Sequence, residues 1–170
     1  GEEHQGMRYM FKMMNNARLG VGVEGLAVTE RALQQAADYA GERRQGRAIG
    51  GPAGEQAVIV DHADVRRMLL TMRAYVDAMR CLLYLNAATL DIATHHPDET
   101  TREEASERAE LLTPISKAWC TDVGVEMASL GIQVHGGYGY IEETGAAQHF
   151  RDSRISPIYT ERTEVKRLNL

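Results

Sequence analysis

QVHGGYGYIEETGAAQHFRDSRISPIYTERT runs from Gln133 to Thr163 and decides the reading of the chain. A glycine pair, Gly136-Gly137, sits in a Gly/Tyr turn where a long helical pattern stops. Glycine reaches positive φ without steric cost, so it suits a helix C-cap and turn. A short polar helix is expected over roughly Thr144 to Arg151, followed by Arg151-Asp152-Ser153-Arg154-Ile155 and then Ile158-Tyr159. No period-2 alternation interrupts the stretch, and strand signals are almost absent elsewhere.

Outward from this segment, three long patterns of period 3.6 fill most of the chain. The first spans about Met7 to Tyr39, with Met10, Phe11, Met14, Val21, Leu26, Val28 and Leu33 at helical spacing. Gly20, Gly22 and Gly25 lie inside it and are expected to permit close helix–helix approach, since each weakens the helix by roughly 1 kcal/mol against alanine. Gly41 is the expected stop. A Gly-rich loop, Glu42 to Val60, leads to a second helix starting near Asp61 or Ala63, with Asp61 as its cap, and ending near His95 before Pro97. Thr100 and Glu103 stand in capping-box relation at the start of the third helix, which carries Leu111, Ile115, Trp119, Val123, Met127 and Leu130. Pro114 removes one of its internal hydrogen bonds and should kink it. Helices of ~30 residues reach ~45 Å. The predicted fold is therefore all-α, an up-down bundle of three long helices plus a short C-terminal helix.

Composition narrows the function classes. The chain has 170 residues, enough for one domain with a real core, and a net charge of -5. That balance argues against a general nucleic-acid or membrane-surface binder. Charges interrupt every apolar run before the ~20 residues of a membrane span. The acidic opening, Gly1-Glu2-Glu3-His4, is not a signal peptide, and the start without Met suggests a processed chain or a piece of a longer one. Cys81 and Cys120 form no CxxC and read as reduced core thiols of a cytoplasmic protein. No His/Cys/Asp/Glu set has metal spacing: His95 and His96 are adjacent and diverge on a helix, and His135 stands alone.

Gln133-Val134-His135-Gly136-Gly137-Tyr138-Gly139-Tyr140, with Arg-Asp-x-Arg-Ile at the following distance, resembles the Gln-x-x-Gly-Gly-x-Gly segment of the flavin-dependent acyl-CoA dehydrogenases. Tyr39-Ala40-Gly41-Glu42-Arg43-Arg44-Gln45-Gly46 is similar to that family's Tyr-Ala-x-Glu-Arg-x-Gln-Phe-Gly stretch, except that Gly46 follows Gln45 with no Phe between. In this it resembles the branch that includes the 3-methylmercaptopropionyl-CoA dehydrogenases. The resemblance covers most of the chain. It implies a C-terminal helical domain over residues 1–170, without the N-terminal helical and central β domains of a complete member.

The resemblance also assigns residues. Arg43 and Gln45 would contact the pyrophosphate of FAD across a subunit boundary, with Gln133, Gly136 and Gly137 lying along the same cofactor. The plainer reading of Arg43 is a basic residue offsetting a helix dipole. Asn15 and Arg18 match the family's Asp-x-x-Arg pair on coenzyme A, with Asn15 in place of the acid. Tyr159 would also face the substrate. The family reads Ile-Tyr-Glu-Gly-Thr, where this chain reads Ile158-Tyr159-Thr160-Glu161-Arg162-Thr163. Without a gap the base position holds Thr160, which cannot take a proton from carbon. With one inserted residue, Glu161 is the catalytic base and Thr163 takes the flavin-contact position.

The implied reaction is α,β-dehydrogenation of an acyl-CoA thioester, with electrons passing to an electron-transfer flavoprotein and with assembly into a homodimer or homotetramer. FAD belongs to the complete enzyme and is expected to be absent from the 170-residue piece, which should be inactive alone. Two other readings stay open. One is a non-catalytic oligomerisation module. The other is an unrelated helical bundle binding an apolar ligand or a partner helix on its Met-rich faces, although methionine at helical spacing usually fills a core.

Overall fold

The computed structural model describes residues 1–158. Helices α1 (Gly6–Glu42), α2 (Ala63–His95) and α3 (Glu99–His135) form the bundle. Two short helices, α4 (Gly137–Tyr140) and α5 (Ala146–Ser153), close one end, and single 3-10 turns occupy Ile59–Asp61 and Glu142–Thr144. Among the described residues the only extended pairing is an isolated antiparallel bridge between Arg44 and Val58. The all-α expectation and the up-down order hold.

Glycine sets the closest seam, between α1 and the parallel α3. A Cβ on Gly25 would lie 2.5 Å from the Cys120 carbonyl oxygen, and one on Gly124 would lie 3.1 Å from the Gly25 carbonyl oxygen. Gly22 is nearly as tight, its added Cβ meeting Leu83 at 3.0 Å and the Ser116 carbonyl oxygen at 3.3 Å. Antiparallel α2 supplies Met72, Val76, Met79 and Leu83, which are fully or almost fully buried against Leu26, Leu33, Cys120, Val123 and Met127. Burying such side chains contributes roughly 1.5–3 kcal/mol each. Buried Asn86 of α2 donates from Nδ2 to Ser116 Oγ at 3.2 Å and to Thr113 Oγ1 at 3.4 Å on α3, a polar contact that penalises register slips. A second cluster, Ala36, Ala40, Ile59, Met68 and Val134, packs the end of the bundle where the α1–α2 loop returns.

Several local expectations are corrected. Gly20 meets nothing within 4 Å, so it serves no close approach. Met10 and Phe11 are 40% and 50% exposed, because the first turns of α1 extend past the buried part of the bundle. Gly41 does not stop α1, which runs to Glu42 and ends when Arg43 turns extended at φ -67°, ψ 123°. Asp61 does not cap α2; it lies in the 3-10 turn, and the N-cap is His62 without a side-chain bond. α3 is capped by Asp98, not Thr100: its Oδ2 accepts from the Thr101 amide at 2.8 Å and from Thr101 Oγ1 at 2.7 Å. Thr100 and Glu103 are simply in the first turns of α3, which is continuous through Pro114.

The Asp98 cap yields a pH prediction. The two bonds from Thr101 hold its carboxyl below the ordinary aspartate value of 3.8. A depressed pKa means that the unfolded chain binds the proton more readily. The cap's contribution is therefore complete above that value and disappears as pH falls through the lower folded value. Asp98→Ala should lower the thermal midpoint at neutral pH, and the gap between variant and parent should close in strong acid, as thermal melts followed by circular dichroism would show.

The two thiols also part company. Cys120 is buried as expected, but Cys81 is exposed on the outer face of α2. Burial pushes the Cys120 thiol up to about 12, so it carries no thiolate at neutral pH. Native protein should titrate with Ellman's reagent at one thiol per chain, and the second should react only after denaturation. Rapid labelling of both in the native state would contradict this packing.

Candidate functional site

The site lies where α1 and α3 end side by side. At the end of α1 the Arg43 amide still donates to the Tyr39 carbonyl at 2.9 Å, after which the chain leaves the helix. It returns through a neck: Gln45 N–H donates to Ala57 O at 3.0 Å, Ala57 N–H to Gly46 O at 2.9 Å, and Ile59 N–H to Arg43 O at 2.8 Å. Gly46 makes the bend at φ 69°. His62 Nε2 donates to the Gln45 carbonyl at 2.7 Å, a bond that requires its proton on Nε2 because a carbonyl only accepts. Arg43 and Gln45 are thus fixed by backbone while their side chains stay exposed.

At the end of α3, Gly136 stands at φ 61°, ψ -141°, a conformation that side chains rarely adopt. Its amide donates to the Gln133 carbonyl at 3.1 Å, and the Gly139 amide donates to the Gly136 carbonyl at 2.9 Å, forming α4. The glycines of this turn differ in kind. Gly139 is obligatory for packing, since a Cβ there would sit 2.5 Å from the Ile132 carbonyl oxygen. Gly137 has neither positive φ nor any neighbour within 4 Å of an added Cβ, so folding does not require glycine there. It presents bare backbone outward.

Tyr39 ties the two ends together. Its ring stacks on buried His135 with centroids 4.5 Å apart and 26° between planes, and it lies 6.5 Å from the Tyr138 ring. His135 Nδ1 donates to the Gly131 carbonyl at 2.8 Å, so this histidine fills a structural place, as expected. Between the ends lies a groove of about 380 Å³, walled by Arg43, Gln45 and Gly46 on one side and Gln133, His135 and Gly136 on the other. Tyr39, Ile59, His62, Val65 and Val134 complete it. His62, Val65 and Ile59 were not singled out in the sequence, and nothing in their own pattern marks them, because the loop brings them in. Tyr39 stood inside the Tyr-Ala-x-Glu-Arg stretch and could have been chosen.

The structure therefore brings Arg43, Gln45, Gln133 and Gly136 to one groove, with Gly137 next in the chain. It does not bring Asn15 and Arg18 there. They sit on α1 roughly 40 Å from Arg43 at ~1.5 Å per residue, Arg18 buried and donating from Nη1 to Asn15 Oδ1 at 3.1 Å. Tyr159, Thr160, Glu161, Arg162 and Thr163 lie outside the described residues. Among the described residues no group of three His, Cys, Asp or Glu could hold a metal ion, and no helix is long and apolar enough to cross a membrane.

The arrangement suits an elongated anion. It offers one guanidinium with five donors, two side-chain amides and a stretch of backbone without Cβ atoms. Residues 4–170 match the family model described as the C-terminal domain of acyl-CoA dehydrogenase. The chain belongs to the acyl-CoA dehydrogenase family. It is 51% identical over 166 residues to 3-methylmercaptopropionyl-CoA dehydrogenase of Ruegeria pomeroyi, a match covering 98% of this chain and 28% of that protein. It is 36% identical over 155 residues to a butyryl-CoA dehydrogenase of Syntrophomonas wolfei, covering 91% of this chain and 25% of that one. The solved butyryl-CoA dehydrogenase of Megasphaera elsdenii superimposes with a TM-score of 0.77 at 27% identity, over 99% of this chain and 38% of the other. This acyl-CoA dehydrogenase domain thus spans only about a quarter to two-fifths of the proteins it matches.

Proposed function

We propose that this domain forms one wall of the FAD site of a cytoplasmic acyl-CoA dehydrogenase and that it does not catalyse alone. The observation that supports this most is the shared groove: Arg43 and Gln45 meet Gln133 and Gly136 although some 90 residues separate them in the chain. Arg43 would hold the pyrophosphate, Gln45 and Gln133 would hydrogen-bond along it, and Gly136–Gly137 would let it approach the backbone. FAD, when bound, supplies the electron acceptor. The remaining walls would come from the parts of the relatives that this chain does not cover.

Asn15 and Arg18 would face the coenzyme A of an acyl thioester, with Tyr159 beside it. Their distance of roughly 40 Å from Arg43 fits a homodimer or homotetramer in which one domain serves the flavin of one subunit and the substrate of another. Glu161 would remove the α proton in the gapped alignment, and Thr163 would touch the flavin. A carboxylate shielded from water is a stronger base, closer in strength to the carbanion it must generate. An electron-transfer flavoprotein would reoxidise the enzyme.

A chimera tests the reading. This chain replaces the matching segment of the Ruegeria pomeroyi relative. The purified chimera should be yellow with bound FAD and should oxidise an acyl-CoA in a dye-linked assay. Glu161→Gln should leave the flavin bound and abolish turnover. A folded chimera that retains no flavin would overturn the proposal, and full turnover by the Gln variant would remove Glu161 as the base.

A further inference from the structure

The turn that carries the diglycine is tied to α1 by a chain of hydrogen bonds outside the groove. Gln35 of α1 donates from Nε2 to the Thr144 carbonyl. That carbonyl can only accept, which fixes the orientation of the Gln35 amide. Its Oε1 therefore faces His149 of α5 and accepts from His149 Nε2 at 2.9 Å. Thr144 extends the chain, its Oγ1 donating to the Tyr138 carbonyl at 2.8 Å and to the Ile141 carbonyl at 3.1 Å. Gly145 follows at φ 73° and starts α5. One connected path thus runs from α5 through α1 to the residue next to Gly137.

We infer that Gln35 is a positioning residue: the His149–Gln35–Thr144–Tyr138 chain fixes where the diglycine turn stands relative to the end of α1. This goes beyond the flavin reading and holds for whatever the groove binds. Two facts favour a positioning role over incidental contact. The four-residue α4 packs on α3 through Gly139, while nothing lies within 4 Å of where a Gly137 Cβ would stand, so α3 alone does not wall in the diglycine. Gln35 is also the one α1 side chain that bonds both α5 and the turn among the described residues.

The surroundings keep His149 neutral. Burial first, then the Arg31 charge, lowers its pKa, with Asp152 opposing and His135 adding to the shift. Arg31 and Asp38 share with it a surface cavity of about 350 Å³, and Glu142 of the 3-10 turn is engaged by Arg151 at 2.7 Å. Because the folded value lies below 6.5, the stability His149 contributes is whole above that pH and is lost as pH falls toward the folded value.

Nuclear magnetic resonance on the full 170-residue chain tests the positioning. In the parent protein the amide shifts of Gly137 and Gly139 should follow the titration of the His149 ring. Gln35→Leu should abolish that coupling and speed amide exchange at Gly139 and Gly145 at least tenfold, with Val76 and Met79 of α2 unchanged. Gln35→Glu keeps the acceptor for His149 and loses the donor to Thr144. It should show the same faster exchange and a raised His149 pKa. Should Gln35→Leu disturb α2 as well, Thr144→Val decides: it removes the hydroxyl bonds to Tyr138, Ile141 and Ala146 but keeps the Thr144 carbonyl that Gln35 bonds, and it should speed Gly139 with α2 unchanged. Absence of coupling in the parent protein, or exchange unchanged in both Gln35→Glu and Thr144→Val, would overturn the inference.

Discussion

Gly25→Ala should destabilise the domain by about 2 kcal/mol or more, although alanine is the better helix former by about 1 kcal/mol. The added methyl would stand 2.5 Å from the Cys120 carbonyl oxygen, 2.8 Å from its carbonyl carbon and 3.2 Å from Thr121 Cα. All three are backbone atoms of α3, so no rotamer change relieves the clash, and the two helices must move apart. Separation would also loosen the Gly124 contact and open gaps around Met127 and Leu33. Gly20→Ala is the control on the same helix. It meets nothing, so it should gain up to about 1 kcal/mol. At roughly 2–4 °C per kcal/mol for a chain of this size, the two melting temperatures should differ by about 6 °C or more. Urea titrations followed at 222 nm give the comparison. A Gly25→Ala protein as stable as the Gly20→Ala protein would show that α1 and α3 are not this close.

Arg43→Ala should weaken FAD binding by the chimera about 10- to 100-fold, the range expected for losing hydrogen bonds to a charged group. The change should be selective. Arg43 contributes its backbone amide to the end of α1, and alanine keeps that bond to Tyr39. Its side chain is exposed, and among the described residues its guanidinium has no hydrogen-bond or ion-pair partner. The melting temperature without flavin should therefore stay within about a degree of the parent. Arg43→Lys should recover only part of the affinity, because an ammonium cannot grip two phosphate oxygens in one plane. Undiminished flavin affinity in the alanine variant would leave the dipole-offsetting reading of this arginine as the better one.

The bundle was legible in the sequence because apolar residues at period 3.6 encode a buried stripe whatever the partner is. Val21, Leu26, Leu33, Val123 and Met127 all proved to be core. Helix ends were less legible, since several residues could have served. Asp98 outcompeted Thr100 because its carboxylate reaches both the amide and the hydroxyl of Thr101. Exposure of Met10 and Phe11 escaped because periodicity names a stripe but does not say how far the partner helices extend along it, whereas Cys81 simply lies off the buried stripe of α2. Of the groove, the α1 and α3 ends could be read from motifs, whereas His62 and Ile59 arrive through the return of a loop. The Gln35–His149 bond joins residues more than a hundred positions apart and left no local trace.

The neck at Gln45–Ala57 has a practical corollary. Three backbone bonds close it before the chain reaches the tip, where Ile49 is 97% exposed. Lengthening a flexible lobe beyond a closed base adds only about 0.6 kcal/mol per doubling. The span around Gly50-Gly51 is therefore the natural graft point for an epitope or a fluorescent reporter, one that would ride beside the binding cleft without prying it open.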